Sequence, residues 1–201
     1  MKKDILFPIV TILLAAAILL GAAFGLNGIA AKNAQEAHLT LMQTLLPGST
    51  AFTVEPYSGD DTNIRSVHKG ENGFVIETVT YGYASDITMF IGVSNEGKVT
   101  GLVVREAHET VGLGNNALTD HEFLAQFLNA AGEFSVVTES PDAFTGATGT
   151  TETASVSGDT VEVDAITGAT VTSKAIARCV NSAVAYVTGA DVSSRATTWG
   201  G

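Results

Sequence analysis

Apolar and polar positions divide this chain into stretches of different period. No charged residue occurs from Ile5 to Ala31, and the run ILFPIVTILLAAAILLGAAFGL at 5–26 is almost wholly apolar. At about 1.5 Å per residue, roughly 20 such residues cross the hydrocarbon core of a bilayer, so the run is long enough to span one. The competing reading is a cleaved secretory signal, but signal cores run only about 7–15 apolar residues, and the length favours an uncleaved anchor. Lys2 and Lys3 precede the run and only Lys32 follows closely, which places the N-terminus in the cytoplasm and the remainder outside. Residues 32–46 read as a helix ended by Pro47-Gly48. The polar, turn-rich stretch 48–72 predicts no element.

From there the period shortens to two. Phe74 to Thr80 is rich in β-branched residues, and Ile87, Met89, Ile91 and Val93 alternate along the next strand. Asn95-Glu96-Gly97-Lys98 is a hairpin turn with Gly97 free to take positive φ, and Val99 to Arg105 returns from it. Three antiparallel strands in succession follow. Thr119 and Glu122 fit a capping box opening a helix whose apolar face carries Phe123, Leu124, Phe127 and Leu128. Phe134 to Thr138 predicts another strand, and Val161 to Val163 a short one. Residues 139–160 between them are a Thr/Ser/Gly-rich loop or insertion. The last helix is expected to begin near Thr172 or Ser173, with Ile176, Val180, Val184 and Val187 inward and Cys179 buried beside them. The fold class is therefore α+β: one N-terminal transmembrane helix, then an extracytoplasmic domain with an antiparallel sheet and packed helices. Its parts are a cytoplasmic start (1–4), an anchor (5–31), a connecting helix and loop (32–72), the folded domain (73–190) and a tail (191–201).

Charge narrows the classes of partner. With Lys2, Lys3 and Asp4 set aside, residues from Lys32 onward hold 8 basic and 20 acidic residues, a net −12. Such a domain is repelled by nucleic acid and anionic lipid, and nucleic-acid binding is excluded. Cys179 is the only cysteine, which rules out an intrachain disulfide and argues against cysteine-held metal or iron–sulfur sites. His38, His68, His108 and His121 lack ligand spacing and read as ordinary surface or core histidines, so no metal site is expected.

The candidate chemistry lies in DAITGATVTS, Asp164 to Ser173, which leads straight into the last helix. Read physically, it is a strand end, a small-residue turn at Gly168 and Ala169, and hydroxyls at a helix N-terminus. Unpaired N–H groups and a partial positive charge make such a terminus a phosphate site. A phosphodiester on one of the hydroxyls would be stabilised there by about 0.3–1 kcal/mol. The same residues also suit an ordinary Thr/Ser N-cap, and on physical grounds alone the cap is the simpler reading.

The segment also resembles the flavinylation signature D-x-x-[ST]-G-A-T of the FMN-binding domain family, through Asp164, Thr167, Gly168, Ala169 and Thr170. That family includes the G subunit of the Rnf complex and the C subunit of the sodium-translocating NADH:quinone reductase. In it, a flavin transferase moves FMN from FAD onto the last Thr of the motif, which here is Thr170. A second family element, E-T-P-G-L-G, stands here as Glu109-Thr110-Val111-Gly112-Leu113-Gly114, with Val111 in place of the proline and a less rigid loop as the consequence. Relatives place this loop beside the flavin ring. With the single anchor, the similarity extends over nearly the whole chain.

The resemblance implies FMN held covalently by a phosphoester to Thr170, with Thr172 and Ser173 as caps and phosphate donors and Glu109 shaping the flavin pocket. Asp164 is either a recognition group for the transferase or a turn acceptor. Tyr81 and Tyr83 read as strand core rather than flavin contacts. No catalytic side chain is expected. The flavin would supply one- and two-electron transfer, and the chain would be a relay, not a complete enzyme, in the plasma (inner) membrane among the other Rnf subunits. The short chain favours the G subunit of Rnf over the C subunit of the quinone reductase. A stand-alone flavin carrier for a surface reductase is the other alternative. Upstream, Asp142 to Thr148 reads DAFTGAT, a second complete copy of the signature. The polar stretch after it has no helical period and no basic residue, so Thr148 is not expected to be modified efficiently.

Overall fold

The computed structural model describes residues 32–138, 156–157 and 160–190. The predicted anchor, the tail, Thr148 and most of the predicted insertion lie outside these residues. Among the described residues no helix is long and apolar enough to cross a membrane. Residues 32–45 are helical (α1). Those up to Leu41 form one compact unit, and a second begins at Met42.

The second unit is built on a five-stranded antiparallel sheet in simple sequential order: β1 (Thr53–Glu55), β2 (Ile64–Lys69), β3 (Gly73–Tyr81), β4 (Asp86–Ser94) and β5 (Val99–Glu106). The three strands that alternation predicts are its centre and one edge. Ile87, Met89, Ile91 and Val93 are fully buried on one face, and the β4–β5 turn takes the expected form, with Gly97 at φ +78. β1 and β2 fall in the stretch where the pattern predicts no element. The reason is local: the β2–β3 register shifts between Ile64 and Ser66, so the buried residues Ile64 and Val67 stand three apart and the period of two is broken. The folded domain thus takes in residues that pattern reading assigns to a connecting segment.

The last helix, α4 (Thr170–Thr188), packs Ile176, Cys179, Val180, Ala183 and Val184 against the buried face of the sheet. Its many alanines let the sheet approach closely, and Thr80 Oγ1 donates to the Ala175 carbonyl at 2.9 Å. Cys179 is buried as expected, and burial pushes its thiol pKa up. On the opposite face, Val75 and Phe90 are buried outside that core, as are Met42, Leu45 and Leu46 at the end of α1. Gly92 and Gly101 pair across β4 and β5 and leave room there for the Leu45 backbone, whose carbonyl accepts Thr100 Oγ1.

Between β5 and α4 the chain forms two short helices, α2 (Gly114–Thr119) and α3 (His121–Ala125), and a second sheet of β6 (Glu133–Val137), β7 (Val156–Ser157) and β8 (Thr160–Asp164). One expectation is corrected here. The N-cap of α3 is Asp120, whose carboxylate takes the N–H groups of Glu122 and Phe123 at 2.9 and 3.0 Å, because Thr119 is the last residue of α2 and bonds back to Asn115. In the second sheet β6 pairs with β8 in parallel, which the long connection between them permits. Asn181 of α4 stands in for a missing strand on the outer edge of β6: its amide accepts from Phe134 N at 2.8 Å and donates to Phe134 O at 2.9 Å.

Candidate functional site

The two motifs, far apart in sequence, meet at the N-terminus of α4. Each is a tight turn with glycine in third place. In one, Leu113 N donates to Thr110 O at 3.2 Å with Gly112 at φ +81; in the other, Ala169 N donates to Ile166 O at 2.9 Å with Gly168 at φ +79. A turn of this hand needs positive φ at its third residue, the reason both motifs carry glycine there. The turns abut: a Cβ at Gly168 would stand 3.2 Å from Leu113 Cδ2. Gln126 fixes the approach to the second turn, accepting Asp164 N at 2.8 Å and donating to Asp164 O at 3.4 Å.

Glu109 ties the elements together. The residue is only 8% exposed. One oxygen accepts the N–H groups of Ala84 and Ser85 at 3.0 and 3.2 Å, and the other accepts Thr172 Oγ1 at 3.0 Å. Thus the β3–β4 turn, the 109–114 loop and the first turn of α4 converge on one buried anion, whose charge their three donors satisfy. Gly82 and Gly114 leave the room it occupies: a Cβ at either would run into a Glu109 oxygen. Glu109 is therefore no solvated loop carboxylate. Gly82, Ala84, Ser85 and Gln126 escape sequence reading because each acts through its backbone, its lack of a side chain or a bond to a distant backbone.

Helix α4 begins at Thr170, not at Thr172 or Ser173. Ala169 occupies the cap position, and no side chain caps the helix. The first helical hydrogen bond runs from Ser173 N to Ala169 O at 2.8 Å, so the amides of Thr170, Val171 and Thr172 precede it. The expected capping role of Thr172 and Ser173 is overturned, because both hydroxyls turn inward: Thr172 donates to Glu109, and Ser173 Oγ accepts Ile166 N at 3.2 Å. Both side chains are buried. The Thr170 side chain is half-buried, and its hydroxyl has no hydrogen-bond partner among the described residues. Thr167 and Asp164 are exposed; the Asp164 carboxylate accepts no turn N–H among the described residues, so that role is not realised.

Several large apolar side chains are exposed around the site. Tyr81, Tyr83, Val111, Leu113 and Val171 are all exposed, with Val111 at 87%, and they belong to the segments that Glu109 joins. The core placement expected for Tyr81 and Tyr83 is corrected. Thr80 takes the last inward position of β3, and the chain then turns back at Gly82, whose N–H donates to Ser85 O at 2.8 Å. Lys174 lies one helical turn beyond Thr170, and Arg178 one turn further, donating to Tyr81 O at 3.0 Å. A cleft of about 1070 Å³ beside α4, between Tyr57, Asp61, Phe134 and Tyr186, takes in Lys174 and Arg178 but not Thr170.

The model of the FMN-binding domain family matches residues 82–185 of this chain, from the glycine against Glu109 to the penultimate turn of α4. Over 117 residues the chain is 32% identical to the G subunit of the Na(+)-translocating ferredoxin:NAD(+) oxidoreductase complex of Acetobacterium woodii, covering 56% of this chain and 47% of that one. It is 30% identical over 115 residues to the G subunit of the proton-translocating ferredoxin:NAD(+) oxidoreductase complex of Clostridium ljungdahlii, covering 57% and 53%. It is 32% identical over 158 residues to the G subunit of the ion-translocating oxidoreductase complex of Methanosarcina acetivorans, covering 73% and 72%. The chain thus spans about half the length of the first two relatives and nearly three quarters of the third. A crystal structure of Shewanella oneidensis NqrC aligns over 70% of this chain and 65% of that one, with a TM-score of 0.43 at 21% identity.

Proposed function

The chain belongs to the FMN-binding domain family, and from that premise we propose that it is the flavin-bearing electron-transfer subunit of an Rnf-type ion-translocating ferredoxin:NAD oxidoreductase, with FMN joined through its phosphate to Thr170. The observation that carries the linkage is the sorting of hydroxyls at the start of α4. Thr172 and Ser173 are buried and committed to internal hydrogen bonds, whereas Thr170 stands half-exposed at the first helical position with its hydroxyl unengaged among the described residues.

The surrounding residues fit the group. The uncapped N–H groups of α4 suit a phosphodiester. Lys174, one helical turn beyond Thr170 and exposed, adds a positive charge to this end of the helix. The exposed tyrosines and aliphatic side chains of the neighbouring segments offer apolar surface to a flat ring system. FMN bound there supplies one- and two-electron transfer. The protein contributes position: a phosphoester tether on a rigid helix end, with no side chain needed for the redox chemistry. Attachment breaks the Thr170 Oγ–H bond and the phosphoanhydride of FAD, forms an Oγ–P bond, and releases AMP with the proton. A flavin transferase performs this step, and Asp164, exposed at the edge of the motif, is a recognition point for it.

The uncharged N-terminal run anchors the chain in the membrane with the domain outside, beside the other Rnf subunits. Co-expression with a flavin transferase tests the linkage: a flavin-fluorescent band is expected in a denaturing gel and is lost in Thr170→Ala. A band that survives this substitution refutes the assignment. For the topology, protease added to spheroplasts should digest the domain, and its protection refutes that arrangement.

A further inference from the structure

We propose that Glu109 is a positioning residue that makes flavin attachment at Thr170 conditional on the folded domain. The proposal rests on the reading of Thr170 as the acceptor and says what selects it.

The chain carries the linear signature twice, at 142–148 and 164–170, so modification of Thr170 alone requires a selection beyond the motif. Both copies end in a threonine, and both have a second threonine two residues later, Thr150 and Thr172. Thr172 is held by a tertiary contact. Its hydroxyl donates to Glu109, 63 residues away, and that carboxylate is held in turn by Ala84 N and Ser85 N. The oxygen that serves Thr172 faces Gly114, whose missing side chain is what admits the contact. No ion pair to Glu109 is found among the described residues, so these three donors are what satisfies its buried charge.

Two consequences follow for the acceptor. The Glu109–Thr172 bond pins the first turn of α4, fixing where the side chain two residues earlier is presented. It also occupies the Thr172 hydroxyl, removing a competing nucleophile from the same turn. In the unfolded chain neither condition holds, since Ala84, Glu109 and Thr172 meet only when the β3–β4 turn, the loop and the helix are assembled. Glu109 makes no contact with the transferred group in this scheme. It acts through Thr172 and the helix it steadies.

The test uses the full-length chain with a flavin transferase and FAD, following FMN at Thr170 by peptide mass spectrometry as an initial rate. Glu109→Ala and Thr172→Val should each slow incorporation roughly tenfold to a hundredfold, the scale expected when a reacting group is misplaced by about 1 Å. Thr172→Ser, which keeps the hydroxyl, should restore the rate. Val67→Ala, a core variant in β2, should lose thermal stability without slowing incorporation. Where Glu109→Ala fails to fold, the Thr172→Val and Thr172→Ser pair decides the question. Unaltered rates in Thr172→Val, or equal slowing in Val67→Ala, overturn the positioning role while leaving Thr170 as the flavin site. A wild-type chain that takes no flavin overturns both.

Discussion

A single methyl group placed at Gly114 tests whether the buried carboxylate organises the site. The added Cβ would run into one Glu109 oxygen and stand 2.7 Å from Thr172 Oγ1 and 3.2 Å from Glu109 Cβ. It would occupy the space through which Thr172 donates to Glu109. Both neighbours are buried and hydrogen-bonded, so neither can swing aside cheaply. Overpacking of this kind costs about 1–3 kcal/mol. Loss of a hydrogen bond to a charged group adds about 1.5–3 kcal/mol, and the better helix propensity of alanine returns at most about 1 kcal/mol. Gly114→Ala should therefore destabilise the domain by about 2–5 kcal/mol, or about 4–20 °C in Tm for a domain of this size. Gly112→Ala is the control: its Cβ would meet nothing, and the cost is the φ of +81° alone, about 1–2 kcal/mol. Urea denaturation of both variants by circular dichroism gives the comparison. If Gly114→Ala costs no more than Gly112→Ala, the packed carboxylate is not what holds these segments together.

Other measurements probe separate parts of the picture. Intact mass spectrometry of the flavinylated chain should show one FMN, retained in Thr148→Ala and lost in Thr170→Ala; two would mean that the short linear motif suffices. Val111→Pro should stabilise the domain by about 0.4–1 kcal/mol in thermal melts, since Val111 is the exposed second residue of a turn whose third is Gly112 and proline restricts the unfolded chain. Burial raises the Cys179 thiol above its ordinary pKa of 9.0, so the folded state holds that proton more tightly than the unfolded one. The stability this contributes is fully present below the unfolded pKa and is lost as pH rises through the folded one, and Cys179→Ala should flatten that alkaline decline in urea titrations.

Local pattern by itself determined the parts whose physics is local. Alternation along β4 marked its buried face, the 3.6 period marked Ile176, Val180 and Val184, and the Asn95–Lys98 turn with Gly97 was legible because few residues tolerate positive φ. The chemistry of DAITGAT was legible as residue types too, and resemblance singled out Thr170 among them. Tertiary structure decided what depends on distant partners. The bulge beside Ile64 hid β2 from any period, and the parallel pairing of β6 with β8 follows from where a long connection returns. Thr172 and Ser173 carry good capping side chains, yet Glu109 and the Ile166 backbone claim them, so α4 starts earlier and leaves Thr170 at its head. A hydroxyl can serve a cap or a buried carboxylate, and only the assembled fold brings that carboxylate within 3.0 Å of it.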